Sequence, residues 1–293
     1  MVGHGTPLNP YKMKPKKTEE SCCVVSCERP LDQEYWEAQY LNKSTGWDLG
    51  TVSPAIKSYL DLLENKECSI LIPGCGTTYE AEYLLEKGFT NITVIDIAPT
   101  LVTSIQEKFK TKPTVKVILG DFFEHQGTYD YVLEQTFFCA IPPSLRQKYV
   151  WKMHQLLNEN GILFGLLFNR EFEVSPPFGG NKNEYLDLFS SAFHVQQMDV
   201  CENSIEQRIS TELFIELKKN SAVNVSLYHF DGMTCSSCAK TITEKFHEID
   251  GVLQVSISSD FKTILLVSKK TIDIKSLEEK IDYDPKYTIH KEE

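Results

Sequence analysis

The stretch that decides the fold is Ser69-Ile70-Leu71-Ile72-Pro73-Gly74-Cys75-Gly76, an apolar strand that runs into a glycine turn. Helical spacing follows over residues 79–87, and the next apolar run, residues 92–95, ends at Asp96. Glycine lets the backbone approach a ligand closely, and the N-terminus of a helix favours negative charge. An acid at the end of the next strand can accept hydrogen bonds from ribose hydroxyls. The stretch therefore predicts a nucleotide-binding strand, turn and helix, although Thr78 stands where a dinucleotide fingerprint has its third glycine.

The chain downstream continues the alternation of strands and helices. Predicted strands cover 115–119, 129–133, 162–168, 193–200 and 210–217, and predicted helices cover 100–109, 145–157 and 184–189. Further helices are expected upstream, near Asp32 and from Pro54. Alternation of this kind implies an α/β fold, in which helices cover both faces of a parallel sheet.

The pattern breaks at Lys218-Lys219-Asn220-Ser221, a short polar stretch that we interpret as a domain boundary. The residues beyond it follow the order strand, helix, strand, strand, helix, strand, which is that of a small α+β ferredoxin-like sandwich. The predicted organisation is a flexible tail at 1–31, a large domain at 32–219 and a small domain at 223–293.

Length and composition limit the function classes. The chain has 293 residues, which suits two domains of unequal size, and its net charge is −11. An acidic chain argues against nucleic-acid binding, which needs a basic surface. No run reaches the roughly 18–20 apolar residues of a membrane span, and no apolar stretch near the N-terminus resembles a signal peptide. We therefore expect a cytoplasmic protein without nucleic-acid or membrane partners.

The nine cysteines do not suggest a disulfide framework, because their number is odd and they are widely scattered. In a reducing compartment, closely spaced thiols are instead candidates for metal or redox chemistry. Cys22, Cys23 and Cys27 are compatible with a thiolate site, but we favour the interpretation that they are ordinary cysteines of the tail.

A third strand end adds ligand-suited side chains, in Gly120-Asp121-Phe122-Phe123. Asp121 can accept a hydrogen bond from an exocyclic amine, and Phe122 can stack on a purine or simply pack in the core. Three consecutive strand ends of this kind meet at the edge where open α/β sheets bind ligands.

At this point the sequence resembles the thiopurine S-methyltransferase family, within it the branch of halide and thiol methyltransferases. The resemblance spans about residues 32–218 and keeps the family's order and spacing. The motifs that carry it are Tyr35-Trp36-Glu37, Thr45-Gly46-Trp47-Asp48-Leu49-Gly50, Pro73-Gly74-Cys75-Gly76 with Glu80, Val94-Ile95-Asp96-Ile97, Gly120-Asp121-Phe122-Phe123, Thr136-Phe137-Phe138-Cys139-Ala140-Ile141-Pro142-Pro143, Arg146 and Pro176-Pro177-Phe178-Gly179.

The resemblance implies a Rossmann-like class I methyltransferase sheet and S-adenosylmethionine as cofactor. Its residue matches are Trp36 and Trp47 over the cofactor, Gly74 at the methionine moiety, Asp96 at the ribose, and Asp121 with Phe122 at the adenine. The two tryptophans make physical sense because a sulfonium is a cation and indole faces attract cations. Gln135 stands at a strand end where some relatives carry Tyr, and Tyr40 stands where some carry a third Trp.

Methyl transfer is an in-line displacement that needs a nucleophile held about 3 Å from the methyl group. Arg146 matches a position that the family places near the acceptor, where a cation would favour an anion; a solvated arginine at a helix start is the alternative. Pro176-Pro177-Phe178 is interpreted as a lid. The expected acceptor is a small thiol or a related soft anion: a thiopurine, sulfide, a selenium or tellurium oxyanion, or a halide.

The small domain carries its own motif, Gly232-Met233-Thr234-Cys235-Ser236-Ser237-Cys238, at a predicted helix start. Cysteines three apart can direct both sulfurs at one ion, and a helix N-terminus lowers a thiol pKa. A bare pair of this spacing could also be a redox pair. The complete motif resembles that of the heavy-metal-associated domain of copper chaperones and metal-pumping ATPases. Cys235 and Cys238 are thus expected to bind Cu(I), or another soft ion such as Zn(II), Cd(II) or Hg(II), and a metal-exchange partner protein is possible.

Two functions remain open from the sequence. The first is an active methyltransferase whose small domain senses or sequesters a toxic soft ion. The second is a metal-binding protein or metallochaperone in which the methyltransferase fold serves as a scaffold. Intact Gly74, Asp96 and Asp121 favour the enzyme.

Overall fold

The computed structural model describes residues 30–292. Cys22, Cys23 and Cys27 lie outside these residues, as does almost all of the predicted tail. The helices are α1 Gln33–Leu41, α2 Pro54–Leu62, α3 Tyr79–Glu86, α4 Pro99–Lys108, α5 Arg146–Leu156, α6 Lys182–Phe189, α7 Ser236–His247 and α8 Ile274–Ile281. The strands are β1 Ile70–Pro73, β2 Ile92–Asp96, β3 Val115–Leu119, β4 Tyr129–Gln135, β5 Leu157–Phe168, β6 Phe193–Val200, β7 Glu212–Lys219, β8 Asn224–Asp231, β9 Val252–Ile257, β10 Thr263–Ser268 and β11 Thr288–Lys291.

Within the described residues, seven strands form the large sheet in the order β3-β2-β1-β4-β5-β7-β6. The strand order reverses at β1: β2 and β3 lie on one side of it, and β4 and β5 lie on the other. The carboxyl ends of the parallel strands β1 and β4 therefore flank one crevice. Ligands of open α/β sheets bind at such a switch point. The central strands β1 and β2 are buried along their whole length, which is why they appear in the sequence as continuous apolar runs.

The predicted parallel sheet is only partly correct. The strands from β1 to β5 pair in parallel, whereas β7 pairs antiparallel with both β5 and β6. Only a loop with a single 3-10 turn, Glu206–Arg208, connects β6 to β7, and without a crossover α-helix the second strand returns in the opposite direction. The mixed sheet keeps helices on both faces, as expected for a Rossmann-like methyltransferase fold.

Four strands form the small sheet in the order β11-β8-β10-β9, and all of its pairs are antiparallel. Its two central strands, β8 and β10, carry buried side chains on both faces. Tyr228 and Leu266 point into a core that the sheet shares with α7 and α8, while Leu227 and Leu265 belong to the core of the large sheet and its helices. Neighbouring residues of a strand face opposite sides, so the run 264–267 is apolar throughout because neither side meets water.

Helix α5 is the element that lies between the two sheets. Eight of its eleven residues are buried, which is possible only for a helix covered on more than one side. It packs on β5 from one side and on β8 and β10 from the other. Gln147 Nε2 donates to Ser256 Oγ at 3.1 Å and to the Ile257 carbonyl at 3.2 Å. The chain from Leu31 onward forms one compact unit.

The helices in the described part of the chain are all too short or too polar to span a membrane.

Candidate functional site

The glycine turn after β1 has a backbone that only glycine adopts easily. Gly74 and Gly76 have φ values of +52° and +51°, in the left-handed region that costs other residues conformational energy. A Cβ on Gly74 would lie 2.3 Å from the Phe137 ring. The turn is therefore open to a ligand on one side and closed by Phe137 on the other.

Asp96, at the end of β2, directs its carboxylate into this turn. Its Oδ2 accepts from the Gly76 N–H and its Oδ1 from the Ala98 N–H, each at 3.1 Å. Burial raises the pKa of Asp96, and the backbone hydrogen bonds oppose that rise. A carboxylate has about four lone-pair sites, so accepting capacity remains for the hydroxyls of a ribose.

Three aromatic side chains from α1 and the following loop lie beside the turn. The Trp47 ring meets Trp36 and Tyr40 edge to face, with centroids 5.6 Å and 5.9 Å apart. The Tyr40 hydroxyl lies 3.6 Å from the position of a Cβ on Gly76. Burial, and then the charge of Asp96, raise the pKa of Tyr40, so its hydroxyl stays protonated at neutral pH. The three rings form one edge-to-face cluster that reaches the glycine turn through Tyr40, and the cation role predicted for Trp36 and Trp47 stays a prediction.

Asp48 fixes the loop that carries Trp47. Its Oδ2 accepts from Thr77 Oγ1 at 2.6 Å and its Oδ1 from the Gly50 N–H at 2.8 Å. The first bond joins the loop to the glycine turn directly, so Trp47 and Gly76 keep a fixed separation.

The predicted adenine residues are placed differently from one another. Asp121 is exposed and accepts from the Phe123 N–H at 2.8 Å. Phe122 is 4% exposed and packs against Phe137 and Tyr149, with ring centroids 5.0 Å and 6.1 Å away. The geometry favours the packing alternative for the Phe122 ring and leaves Asp121 at the sheet edge.

Gln135 ends β4 at the same edge, and its side-chain oxygen is buried without a hydrogen-bond partner among the described residues. A buried acceptor without a donor costs free energy. A ligand that brings an N–H or O–H group to this oxygen would remove that cost, so Gln135 fits the cofactor position predicted for it.

Arg146 begins α5 and uses much of its guanidinium within the protein. One terminal nitrogen donates to the Gly179 carbonyl at 2.6 Å, and the other lies 3.8 Å from the Glu184 carboxylate. The group also lies over the Phe138 ring, 4.9 Å from its centroid. Its Nε–H is buried without a partner in the described structure. Arg146 therefore holds the predicted lid in place and keeps one unsatisfied donor.

The lid is tied to the loop after β4 as well. The Phe178 N–H donates to the Cys139 carbonyl at 2.7 Å, and the Gly180 N–H donates to the Arg170 carbonyl at 3.1 Å. These bonds fix residues 178–180 against the loop after β4 and the end of β5, and a lid over an acceptor pocket at Pro176-Pro177-Phe178 stays a prediction.

A second arginine, Arg208, is bonded to the loop that carries Trp47 and is a candidate site residue that the sequence reasoning missed. It donates to Glu212 and to the Trp47 carbonyl at 3.2 Å each and lies 5.2 Å from the centroid of the Phe168 ring. Two of its five N–H donors are used in this way. It is the single Lys or Arg between residues 183 and 217, which is the signal that could have found it.

The loop that carries Cys235 and Cys238 lies between β8 and α7. Cys235 caps α7, and its Sγ lies 2.7 Å from that of Cys238. Hydrogen bonds from Cys238 and from Ser237 lower the pKa of Cys235 to about 7. Two converging thiols, one of them with a pKa lowered to about 7, form a donor set that suits a soft metal ion.

Two neighbouring features shape this loop. Gly232 has φ +89°, and a Cβ there would lie 2.3 Å from the Lys286 carbonyl, so the loop presses against the turn before β11. Tyr287, which directly precedes β11, forms a side-chain hydrogen bond with Cys238. Burial and, after it, this hydrogen bond raise the pKa of Tyr287 to about 12. Among residues 30–292, no group of three or more His, Cys, Asp or Glu side chains could hold a metal, so the two thiols are the donors available here.

A sequence profile of the thiopurine S-methyltransferase family matches residues 31–220. The chain belongs to the thiopurine S-methyltransferase family. It is accordingly an S-adenosylmethionine-dependent S-methyltransferase. A profile of the heavy-metal-associated domain matches residues 227–283, which agrees with the second resemblance.

Similar proteins include members of this family from plants and bacteria. A probable thiol methyltransferase 2 of Arabidopsis thaliana is 31% identical over 156 residues, covering 51% of this chain and 69% of its own. A thiopurine S-methyltransferase of Vibrio parahaemolyticus is 26% identical over 191 residues, covering 57% and 88%.

Solved structures agree with the fold of the large sheet. The 1,6-didemethyltoxoflavin-N1-methyltransferase of Burkholderia thailandensis, with bound S-adenosylhomocysteine, has a TM-score of 0.52 at 15% identity, covering 71% of this chain and 94% of its own. Magnesium protoporphyrin IX methyltransferase of Synechocystis, with bound S-adenosylmethionine, has a TM-score of 0.51 at 14% identity, covering 64% and 95%.

Proposed function

We propose that the chain transfers a methyl group from S-adenosylmethionine to a small thiol or a related soft anion, and that its small domain binds a soft metal ion. The observation that carries the proposal is the meeting of Asp96, the glycine turn and the Trp36–Trp47 pair at one strand edge, with the Arg208 guanidinium bonded to the Trp47 backbone. The acceptor classes are those expected from the sequence: thiols, thiopurines, sulfide, selenium or tellurium oxyanions and halides.

The residues at the strand edge suit the cofactor. Asp96 would accept from the ribose hydroxyls, the Gln135 oxygen from a donor of the ligand, and Trp36 and Trp47 would face the cationic sulfur. When bound, S-adenosylmethionine supplies an electrophilic methyl group. Gly74 and Gly76 carry no side chain, so Phe137 and the Tyr40 hydroxyl can approach the turn closely and would border the bound cofactor.

The acceptor side would be the part of the site that holds Arg208 and Arg146, each of which also has a carboxylate partner, Glu212 at 3.2 Å and Glu184 at 3.8 Å. Arg208 has three N–H groups that form no hydrogen bond within the described protein, and Arg146 has its buried Nε–H. A guanidinium beside the acceptor would stabilise the ionised form of a thiol or selenol and so raise the fraction of good nucleophile at neutral pH. The lid at 176–180 would exclude water from this pocket.

The metal part of the proposal rests on Cys235 and Cys238. Two thiolates suit Cu(I), and Zn(II), Cd(II) and Hg(II) are the alternatives. Titration of the reduced protein with each ion, for the parent and for Cys235→Ser/Cys238→Ser, tests the assignment. Stoichiometric binding that the double variant loses is expected; binding that survives the double substitution would contradict it.

The experiment for the enzyme is an acceptor panel with labelled S-adenosylmethionine, run with and without Cu(I). The panel holds thiols, thiopurines, sulfide, selenite, tellurite and halides, and Arg208→Gln is compared with the parent. We expect the variant to lose at least about tenfold in kcat/KM for anionic acceptors. Arg170→Gln, the same change at an exposed arginine, is the matched control.

Two outcomes oppose the proposal. Absence of transfer to every acceptor, together with no heat of binding on titration with S-adenosylmethionine, would favour the scaffold function. Transfer that Arg208→Gln and Arg170→Gln reduce equally would remove Arg208 from the acceptor site.

A further inference from the structure

Glu134 is a fully buried carboxyl group next to the proposed site. It is 0% exposed and lies one residue before the end of β4. Its Oε1 accepts from the Phe137 N–H at 2.8 Å and from the Phe138 N–H at 2.9 Å, and its Oε2 accepts from the Tyr149 hydroxyl at 2.6 Å. Neither sequence reasoning nor the proposed transfer gives this group a role.

The surroundings of Glu134 show that hydrogen bonds, and not an ion pair, hold it. No Lys, Arg or His among residues 30–292 lies within ion-pair distance of it. Burial raises the pKa of Glu134 to about 7, and the bonds from Tyr149, Phe138 and Phe137 oppose the rise. Burying a carboxyl group without a nearby cation costs free energy of folding. The presence of Glu134 here therefore indicates a role other than stabilising the fold.

The two backbone bonds fix the loop that follows β4. Thr136 has φ +59°, a left-handed conformation that a threonine adopts only when its surroundings enforce it. The amides of the next two residues both point at Glu134 Oε1, which closes the turn. As a result Phe137 is held over Gly74, where a Cβ would collide with its ring, and Gln135 is held at the sheet edge.

The third bond connects this loop to α5. Tyr149 is 0% exposed and lies in the helix that is covered by the large sheet on one side and by β8 and β10 on the other. Its hydroxyl therefore has a fixed position. The Tyr149–Glu134 bond joins α5, which has the largest buried share of the helices within residues 30–292, to the loop that lines the proposed cofactor site.

We propose that Glu134 and Tyr149 are positioning residues, which hold residues 135–138 in the shape that receives S-adenosylmethionine before the cofactor arrives. The inference rests on the proposed function, since it concerns the same site. Neither side chain contacts the reacting atoms; they act through Gln135 and Phe137. Such preorganisation lowers the cost of ordering the loop on binding.

The test compares Glu134→Gln with Glu134→Ala and Tyr149→Phe in the full chain. A glutamine keeps an oxygen for the two amides and places its NH₂ group at Tyr149, whose hydroxyl can also accept. We expect Glu134→Gln to bind S-adenosylmethionine within about threefold of the parent. Glu134→Ala is expected to raise Kd by about 10- to 100-fold and Tyr149→Phe by about 3- to 10-fold, both measured by calorimetric titration.

Amide hydrogen exchange in the cofactor-free protein supplies a second readout. The Phe137 and Phe138 amides are expected to exchange at least about tenfold faster in Glu134→Ala and at the parent rate in Glu134→Gln. Exchange in α8, which packs on α7 and β11 and not on α5, reports whether the fold is intact. If Glu134→Ala fails to fold, Tyr149→Phe, which removes one oxygen atom, decides the question through its Kd.

Parent-like Kd values and parent-like exchange in Glu134→Ala would overturn the inference, as would an equal loss of affinity in Glu134→Gln. A parent that binds no S-adenosylmethionine, while exchange at Phe137 and Phe138 still depends on Glu134, would sink the proposed function and with it the cofactor role of the pair.

Discussion

Replacing Leu265 by alanine should destabilise the large sheet, although Leu265 belongs to the small one. Its side chain is 0% exposed and lies in the same apolar cluster as Tyr149 and Trp151 of α5. A Leu→Ala change at such a position costs about 2–5 kcal/mol, through lost transfer free energy and the cavity that remains. With a urea m-value of about 3 kcal/mol/M, a cost of about 3 kcal/mol lowers the unfolding midpoint by about 1 M.

Tryptophan fluorescence suits this measurement, because Trp36, Trp47 and Trp151 all precede the small domain in the chain. Urea unfolding followed by fluorescence therefore reports on the large sheet and its helices. Leu253→Ala is the matched control: it is the same change in the same small sheet, but at a side chain that is 40% exposed, and its cost should stay within about 0.5 kcal/mol.

The fluorescence midpoint decides the outcome. If Leu265→Ala left this midpoint within about 0.2 M of the parent while the small sheet lost stability, the two sheets would not share a core, and the two-sided burial of α5 would contribute nothing to the stability of the large domain.

Three other predictions concern single side chains. In the reduced, metal-free protein, the rate of Cys235 alkylation by iodoacetamide should rise through pH 7 and then level off, because the pKa of Cys235 is lowered to about 7. Cys68, whose pKa burial raises to about 11, should stay unmodified up to pH 9. Equal labelling of the two cysteines in peptide mass spectrometry would contradict this. Burial raises the pKa of Glu80 from 4.5 to about 7, so the folded state favours the protonated carboxyl. Through this group the parent should lose roughly 3 kcal/mol at most of its free energy of unfolding as the pH rises from about 4.5 to about 7. Glu134, whose pKa burial also raises to about 7, contributes with the same sign, so Glu80→Gln should reduce the pH dependence of urea unfolding between pH 5.5 and 8.5 by about half, and an unchanged dependence would show that Glu80 does not contribute to it. Arg146→Met should free the lid from the Gly179 carbonyl and raise KM for the acceptor about tenfold at unchanged Kd for S-adenosylmethionine, and the reverse pattern would refute the lid role.

The sequence predicted the local structure well because local signals determine it. The strand at 69–73, the glycine turn and Asp96 follow from apolar runs and from residues with special backbone preferences. The loop that carries Cys235 and Cys238 was predicted from its motif, in which two cysteines three residues apart stand at a helix start. The direction of β7 could not be predicted in this way, because an apolar run indicates a strand but not which way it runs beside its neighbours.

The features that sequence reasoning missed depend on contacts between distant residues. Arg208 lies in a loop without periodicity, and Glu212 and the Trp47 carbonyl give it a place in the site only after folding. In the sequence Glu134 cannot be distinguished from the other acidic residues, because its three hydrogen-bond donors come together only in the folded chain. The docking of the small sheet had a readable signal, since an unbroken apolar run such as 264–267 indicates burial on both faces, but the partner of the second face could not be identified from the run itself.

The position of α5 between the two sheets also has a consequence for synthesis on the ribosome. The large sheet and α5 are translated before β8 and β10. The face of α5 that the small sheet covers therefore stays exposed to solvent until those strands have been synthesised. During that interval the nascent chain presents an uncovered apolar surface, the kind of surface that promotes aggregation of folding intermediates. Substitutions that slow formation of the small sheet should therefore lower the yield of soluble protein in cells more than they lower the stability of molecules that have already folded.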